Sequence, residues 1–237
     1  MSDPIGPPPA FHLLLEGRLA AEASRVMLQL PLLRLQVPHG EGDVMVLPGF
    51  MADDTMTWLL RQFLSGLGYR VSGWGLGVNR GPMLPYLEKI VRRIVGIVED
   101  HGTLPSLVGW SRGGVLAREI ARDRPDLVCS VVTLGSPVRG GVHGTRIGAW
   151  VSRSTGITPE QISRTLSERQ RRPIEVPVTA IYSRTDGVVS WQACRDEDTE
   201  GLVHEEVESS HMGLVANVDV YRKVAHALAR HHSLQRA

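Results

Sequence analysis

Apolar positions recur along the chain with two different periods, and the alternation between them outlines a fold. Phe11, Leu14, Leu15, Leu19, Val26, Met27 and Leu30 follow near-helical spacing. Residues 32–37 allow an opening strand, residues 38–43 a turn, and Val44-Met45-Val46-Leu47 a short buried strand ending at Pro48-Gly49-Phe50. Trp58, Leu59, Gln62, Phe63 and Leu67 predict a helix within residues 55–68, and residues 69–72 the next strand. Leu87, Ile90, Val91, Ile94, Val95 and Val98 mark an amphipathic helix over residues 85–101, which runs through Gly102-Thr103-Leu104-Pro105 into another strand. A helix from Val115, a β-branched run at 127–134, strands at 176–182 and 202–207, and a terminal helix at 217–231 complete the pattern. Such alternation predicts an α/β fold, a mostly parallel central sheet with helices on both faces.

The length of 237 residues suits one such domain. Residues 1–43 read as an N-terminal extension and residues 44–237 as the core, interrupted by a polar, arginine-rich insertion at about 138–173. That insertion is loosely helical around 147–152 and 159–170. The first apolar helix has two readings: packing against the domain, or an exposed surface for dimer formation or membrane contact. Residues 2–9 read as a flexible lead. Hydrophobic content of 42% is ordinary for a chain that buries a core, and a net charge of +1 argues against nucleic acid as partner. Lys89 and Lys223 are the only lysines among 26 basic residues, which reads as composition bias. No apolar run is long enough to cross a bilayer, and residues 1–10 lack the basic leader and apolar core of a signal peptide, so the cytoplasm is the expected compartment. Cys129 and Cys194 give no disulfide framework; Cys129, in an apolar run, reads as a small buried hydrophobe.

The chemistry centres on Leu107-Val108-Gly109-Trp110-Ser111-Arg112-Gly113-Gly114. A serine lifted out of a sheet needs a very tight strand-to-helix turn, which only small residues two before and two after can accommodate. Gly109 and Gly113 meet that need, Gly114 allows the helix to pack close behind, and Ser111 is the nucleophile candidate. A serine hydroxyl needs a base, and the base an acid to hold it. Partners should follow later strands, since parallel sheets bind ligands at their carboxyl ends. Asp186, in Ser183-Arg184-Thr185-Asp186-Gly187, follows one strand, and His211, in Ser209-Ser210-His211-Met212-Gly213, follows the last.

An aspartate before glycine is more often a turn residue, and a loop histidine more often a bystander. The rivals fit less well: Asp123 and Asp126 end the elbow helix, and Asp196 and Asp198 sit in a solvated acidic run. His101 ends a helix, His143 lies in the insertion and His204 inside a strand. For the oxyanion, the Arg112 amide follows the nucleophile, and a second donor should come from Pro48-Gly49-Phe50-Met51, with Phe50 preferred and Met51 next. Met51, Trp74, Trp150 and Met212 are candidates for substrate contacts. Gly75-Leu76-Gly77 lacks the third glycine and following helix of a dinucleotide loop. The histidines show no metal spacing, and His231-His232 reads as a frayed terminal pair; no metal or cofactor is expected.

These segments, with Thr133-Leu134-Gly135-Ser136-Pro137, resemble the α/β-hydrolase superfamily, in particular small bacterial esterases and lipases. The resemblance spans roughly residues 44–231. It implies that Ser111 is acylated, that His211 acts as general base and then acid, that Asp186 orients it, and that Phe50 and Arg112 supply backbone oxyanion donors. Pro48 stands where many such proteins carry histidine, and Arg112 is larger than the usual residue there. The insertion at 138–173 occupies the place of a lid. Its shortness, with Ile147 and Trp150 as apolar anchors, suggests an open cleft for short to medium acyl groups of a small-molecule ester. An acyltransferase with an alcohol or amine acceptor is the alternative, and a non-catalytic binding protein the remote one. Haloalkane dehalogenases and epoxide hydrolases use aspartate where Ser111 stands.

Overall fold

In the computed structural model, which describes residues 5–196 and 201–235, an extension precedes the sheet: 3-10 turns at Ala10–Arg18, then α1 (Leu19–Gln36). The chain continues through β1 (Asp43–Leu47), α2 (Trp58–Ser65), β2 (Arg70–Gly73), α3 (Leu84–His101), β3 (Ser106–Trp110), α4 (Arg112–Asp123) and β4 (Ser130–Leu134). An insertion with α5 (Gly148–Thr155) and α6 (Pro159–Gln170) follows, then β5 (Val178–Ser183), α7 (Trp191–Cys194), β6 (Val203–Val207) and α8 (Val218–Gln235).

The six strands form one sheet in the order β2-β1-β3-β4-β5-β6, and every pairing is parallel. The chain runs outward from β1 to β2 and then crosses back to β3, so the order reverses between β1 and β3. Ligand crevices of open α/β sheets lie at such a reversal, beyond the carboxyl ends of the strands. The loops after β1 and β3 carry Phe50 and Ser111.

Side chains alternate across a strand, and that period sorts the core. Val44 and Val46 of β1, with Val108, Val132 and Ile181, pack against Phe63 and Leu64 of α2 and Tyr221, Val224 and Leu228 of α8. Met45 and Leu47, with Leu107, Val131 and Val178, pack against Leu87, Ile90 and Ile94 of α3 and Leu116 and Ile120 of α4. Gly102 ends α3 in the left-handed conformation, its N–H donating to Val98 O at 2.8 Å. In the insertion, Thr158 and Gln161 form a reciprocal capping box on α6.

Three readings of the extension change. Residues 32–37 do not form a strand, because Leu33 lies two helical turns beyond Val26 and both are buried against the core that includes α8; α1 therefore runs on through Pro31 to Gln36. The lead is not a free tail over its described part. Ile5 packs on the cluster of Tyr182, Val189, Ala193 and Cys194, and Arg146 donates to the Pro8 carbonyl; residues 2–4 lie outside the described residues. The first helix packs against the domain along one side only. Val26 and Leu33 pack inward, while Phe11, Leu13, Leu14, Met27, Leu28, Leu32 and Leu35 face solvent.

Two polar residues are also buried rather than solvated. Asp196 pairs with Arg118 beneath the surface, and His231 lies against Thr179 Oγ1 at 3.3 Å; Asp198 and the His232 side chain fall outside the described residues. Both cysteines are buried and free. Among the described residues no helix is long and apolar enough to cross a membrane.

Candidate active site

Ser111 is the hinge between β3 and α4. Its backbone sits at φ 54° and ψ −122°, and Met51 is the other non-glycine residue with positive φ among those described. Such strain costs on the order of 1–3 kcal/mol and persists only where surroundings enforce it. Here the Ser111 N–H donates to Leu134 O at 2.7 Å, tying the turn to the end of β4. Close approach explains the flanking glycines: a side chain at Gly109 would strike the Gly114 backbone, and one at Gly113 would strike the Leu47 carbonyl.

Asp186, beyond β5, is 1% exposed. Its Oδ1 accepts from the Val188 and Val189 N–H groups at 2.8 and 2.7 Å, which fixes the carboxylate and leaves Oδ2 aimed at His211 Nδ1, 2.6 Å away. His211, beyond β6, is buried, and its carbonyl accepts from Trp110 Nε1 at 3.1 Å, next to the nucleophile. A proton on Nδ1 leaves Nε2 as the free base. Burial pulls the imidazole toward the neutral form, but the Asp186 charge and hydrogen bond, with Glu16 adding to them, raise its pKa above 6.5. Ser111 Oγ makes no hydrogen bond to the imidazole in this structure; in such sites that bond often tightens only around substrate.

Gly135, at the end of β4, gives the pair its room. Its φ is +57°, and a methyl group there would strike Leu214 Cδ1 and lie 3.1 Å from Asp186 Oδ2 and 3.3 Å from His211 Nδ1. Its position directly after a buried strand was a signal in the sequence, though not one that assigns a role.

The oxyanion loop separates the two candidate donors. The Met51 N–H is committed to Asn79 O at 2.8 Å, whereas the Phe50 N–H has no acceptor within the described chain. Arg112 is the first residue of α4, where an N–H has no intrahelical partner. A Cβ on Gly49 would sit 3.2 Å from Ser111 Cβ, so the loop lies directly against the elbow. Buried Asn79 holds it, donating Nδ2 to Pro48 O and its N–H to Ala52 O, both at 2.8 Å. No motif in the sequence marks this support, since Asn79 lies in a glycine-rich stretch without a pattern of its own.

A cavity of about 220 Å³ opens beside Ser111. Phe50 and Arg112 lie at its base, Val115 of α4 and Met83 and Leu84 at one side, and Val142, Ile147, Val151, Ile157, Ile162 and Leu166 of the insertion form its roof. Its lining is mostly apolar, and the insertion supplies a large part of the wall. None of the four expected substrate contacts lines it. Trp74 is wholly buried in the core, donating Nε1 to Gly77 O; Trp150 stands half-exposed, edge-on to Phe50 at 5.3 Å; Met51 points outward; Met212 packs on the α8 side. Arg112 has its guanidinium 5.8 Å from the Phe50 and Tyr86 rings, and burial pulls its pKa down to about 10. Among the described residues no cluster of His, Cys, Asp or Glu could hold a metal ion.

No protein-family model matches the chain, and no curated protein matches its sequence. Solved structures do resemble it. One from work on the metagenome-derived lipolytic enzymes LipS and LipT is 14% identical, with 83% of this chain and 96% of that chain covered and a TM-score of 0.64. The Paleococcus ferrophilus monoacylglycerol lipase is 18% identical, covering 82% and 97% at a TM-score of 0.60. A bacterial membrane phospholipase A is 16% identical, covering 93% and 98% at a TM-score of 0.56.

Proposed function

We propose that this chain, which has the α/β-hydrolase fold, is a serine hydrolase that cleaves carboxylic esters through an acyl-enzyme. The observation that carries the reading is a strained Ser111 beside an apolar cavity, with the hydrogen-bonded Asp186–His211 pair held against Trp110, the residue just before it. Its likeness to lipolytic enzymes supports the same substrate class.

In the first half-reaction His211 Nε2 takes the Ser111 proton as Oγ attacks the ester carbonyl. The oxyanion forms against the Phe50 and Arg112 amides, and the imidazolium then protonates the departing alkoxide. Asp186 stabilises that imidazolium without taking its proton. In the second half-reaction water, deprotonated by His211, releases the acid and restores Ser111. The acyl group occupies the cavity, whose volume falls below the roughly 300–1,000 Å³ of drug-sized pockets, consistent with short to medium chains.

A fluorophosphonate probe should label the wild type and leave Ser111→Ala unlabelled, and p-nitrophenyl esters from acetate to palmitate should be cleaved fastest below palmitate. Labelling that survives Ser111→Ala, or a maximum at palmitate, would falsify the corresponding half of the reading. The apolar walls favour one second reading, acyl transfer to an alcohol or amine; product ratios with a small alcohol present separate it from hydrolysis.

A further inference from the structure

We propose that Glu16, on the N-terminal extension, is a positioning residue that splints the two loops bearing Asp186 and His211. The inference rests on the serine-hydrolase reading above.

One carboxylate reaches both loops. Glu16 Oε1 accepts from the Gly187 N–H at 2.9 Å and from the His211 N–H at 2.8 Å, and Oε2 accepts from the Met212 N–H at 3.0 Å. The first amide directly follows Asp186 and the second belongs to the base itself. Charge-assisted hydrogen bonds of this kind are the stronger sort, and they fix the backbone on both sides of the Oδ2–Nδ1 contact. A glycine clears the path: a side chain at Gly187 would strike the His12 carbonyl and the Glu16 carboxylate.

Neighbouring side chains of the extension act on the same two loops. Arg18 donates to Thr185 Oγ1 at 3.1 Å and pairs with Glu208 at 3.2 Å, bridging the residues just ahead of each loop's functional group. Glu22 Oε1 accepts from the Ser210 N–H at 3.1 Å and Ser209 Oγ at 3.0 Å, and its Oε2 from Ser210 Oγ at 2.6 Å. The charged groups bearing on the imidazole are Asp186 from the β5 loop and Glu16 from the extension, with Arg18 and Glu22 engaged beside them. Glu16 therefore does two things at once: it holds geometry, and it favours the imidazolium.

The full-length protein tests this through the rate at which a fluorophosphonate labels Ser111 as a function of pH, which needs no knowledge of the natural ester. Glu16→Gln keeps an oxygen for Gly187 and His211 but turns an amide N–H₂ toward the Met212 N–H. The maximal rate should fall by about tenfold to 10²-fold, and the acid limb should move to lower pH because the Glu16 charge no longer favours the imidazolium. A folded Glu16→Gln whose limb coincides with that of the wild type overturns the proposal, whatever its melting temperature. Should that variant fail to fold, Glu16→Asp decides: the charge stays but the reach shortens, so a lower maximal rate supports the splint and a wild-type rate overturns it. Wild-type protein that is not labelled at Ser111 would instead overturn the hydrolase reading.

Discussion

Replacing Asp186 by asparagine tests the site at its most constrained atom. Oδ1 accepts two backbone N–H groups, from Val188 and Val189. An amide can satisfy them only by placing its oxygen there, because its nitrogen carries hydrogens and would face two donors. The N–H₂ must then point at His211 Nδ1, where Oδ2 stood 2.6 Å away. Nδ1 becomes the acceptor, the ring proton moves to Nε2, and the base can no longer take a proton from Ser111. A wrong tautomer of this kind lowers turnover by about 10⁴, equivalent to about 5 kcal/mol in the barrier. The pH dependence changes as well. In the wild type the imidazole must be neutral to act, and its raised pKa puts the acid limb of kcat/KM above pH 6.5; with asparagine the charge of Asp186 is gone and burial lowers the pKa. The linked stability has a definite sign. A raised histidine pKa stabilises the fold fully below about 6.5, and that contribution is lost as pH rises through the folded value. Melting temperatures of wild type and Asp186→Asn should therefore converge at high pH and diverge at low pH, where the wild type gains. Ester hydrolysis within tenfold of wild type, by folded Asp186→Asn, would refute the assignment of acid and base.

Three further expectations follow from neighbouring contacts. Leu166→Ala enlarges the cavity from its roof; it should cost about 2–3 kcal/mol in a denaturant titration and move the preferred p-nitrophenyl ester to a longer chain, and an unchanged chain-length profile argues against the cavity as the acyl site. Gly135→Ala forces a positive φ on alanine, at about 1–2 kcal/mol, and crowds the Asp186–His211 pair. Its kcat should drop tenfold or more, and a wild-type kcat would show that the pair tolerates displacement. The apolar outer side of α1 is expected to pair two copies, so sedimentation velocity should give a dimer that Leu28→Glu converts to monomer; a wild-type monomer across the dilution series rejects the pairing.

The parts of the architecture that repeat a local rule were legible in the sequence. Ser111 and Asp186 follow short, fully buried strands rich in apolar or β-branched residues, His211 follows the more polar Val203–Val207, and each lies within a few residues of its strand. The tight turn at Gly109 and Gly113 has few sequence solutions, so it announces itself. Residues 32–37 misled because Leu32, Leu33 and Leu35 read equally well as strand or helix, and only the packing of Leu33 in the core shared with α8 decides for helix. Trp74 misled for a related reason: it sits beside a glycine-rich stretch, yet its ring is a buried core element lying 5.0 Å from the Tyr86 ring in a tilted arrangement. Glu16 and Asn79 could not be found at all, because each acts on loops far along the chain and carries no motif of its own.

The same separation in sequence accounts for the insertion. Its many arginines read as composition, but some of them fasten the roof of the cavity to the elbow helix. Arg169 of α6 pairs with Glu119 and with Asp123 of α4, while Arg122 of α4 pairs with Glu119 at 3.2 Å and donates to the Arg169 and Arg172 carbonyls at the end of α6. Glu119 and Arg122 are buried and Glu119 is shared by Arg122 and Arg169, so removing Glu119 would leave the buried Arg122 guanidinium without its carboxylate, a loss of about 3–5 kcal/mol. Val115 lies one helical turn before Glu119, and Leu166 nearly one turn before Arg169. The Val115 and Leu166 side chains both line the cavity. The ion pairs therefore tie a helix that contributes to the cavity wall to α4, the helix that begins directly after Ser111. With the acyl group in the cavity as proposed above, a charge substitution at Glu119, which does not line the cavity itself, should loosen that tie and broaden the range of p-nitrophenyl esters accepted; an unchanged chain-length profile would refute the link.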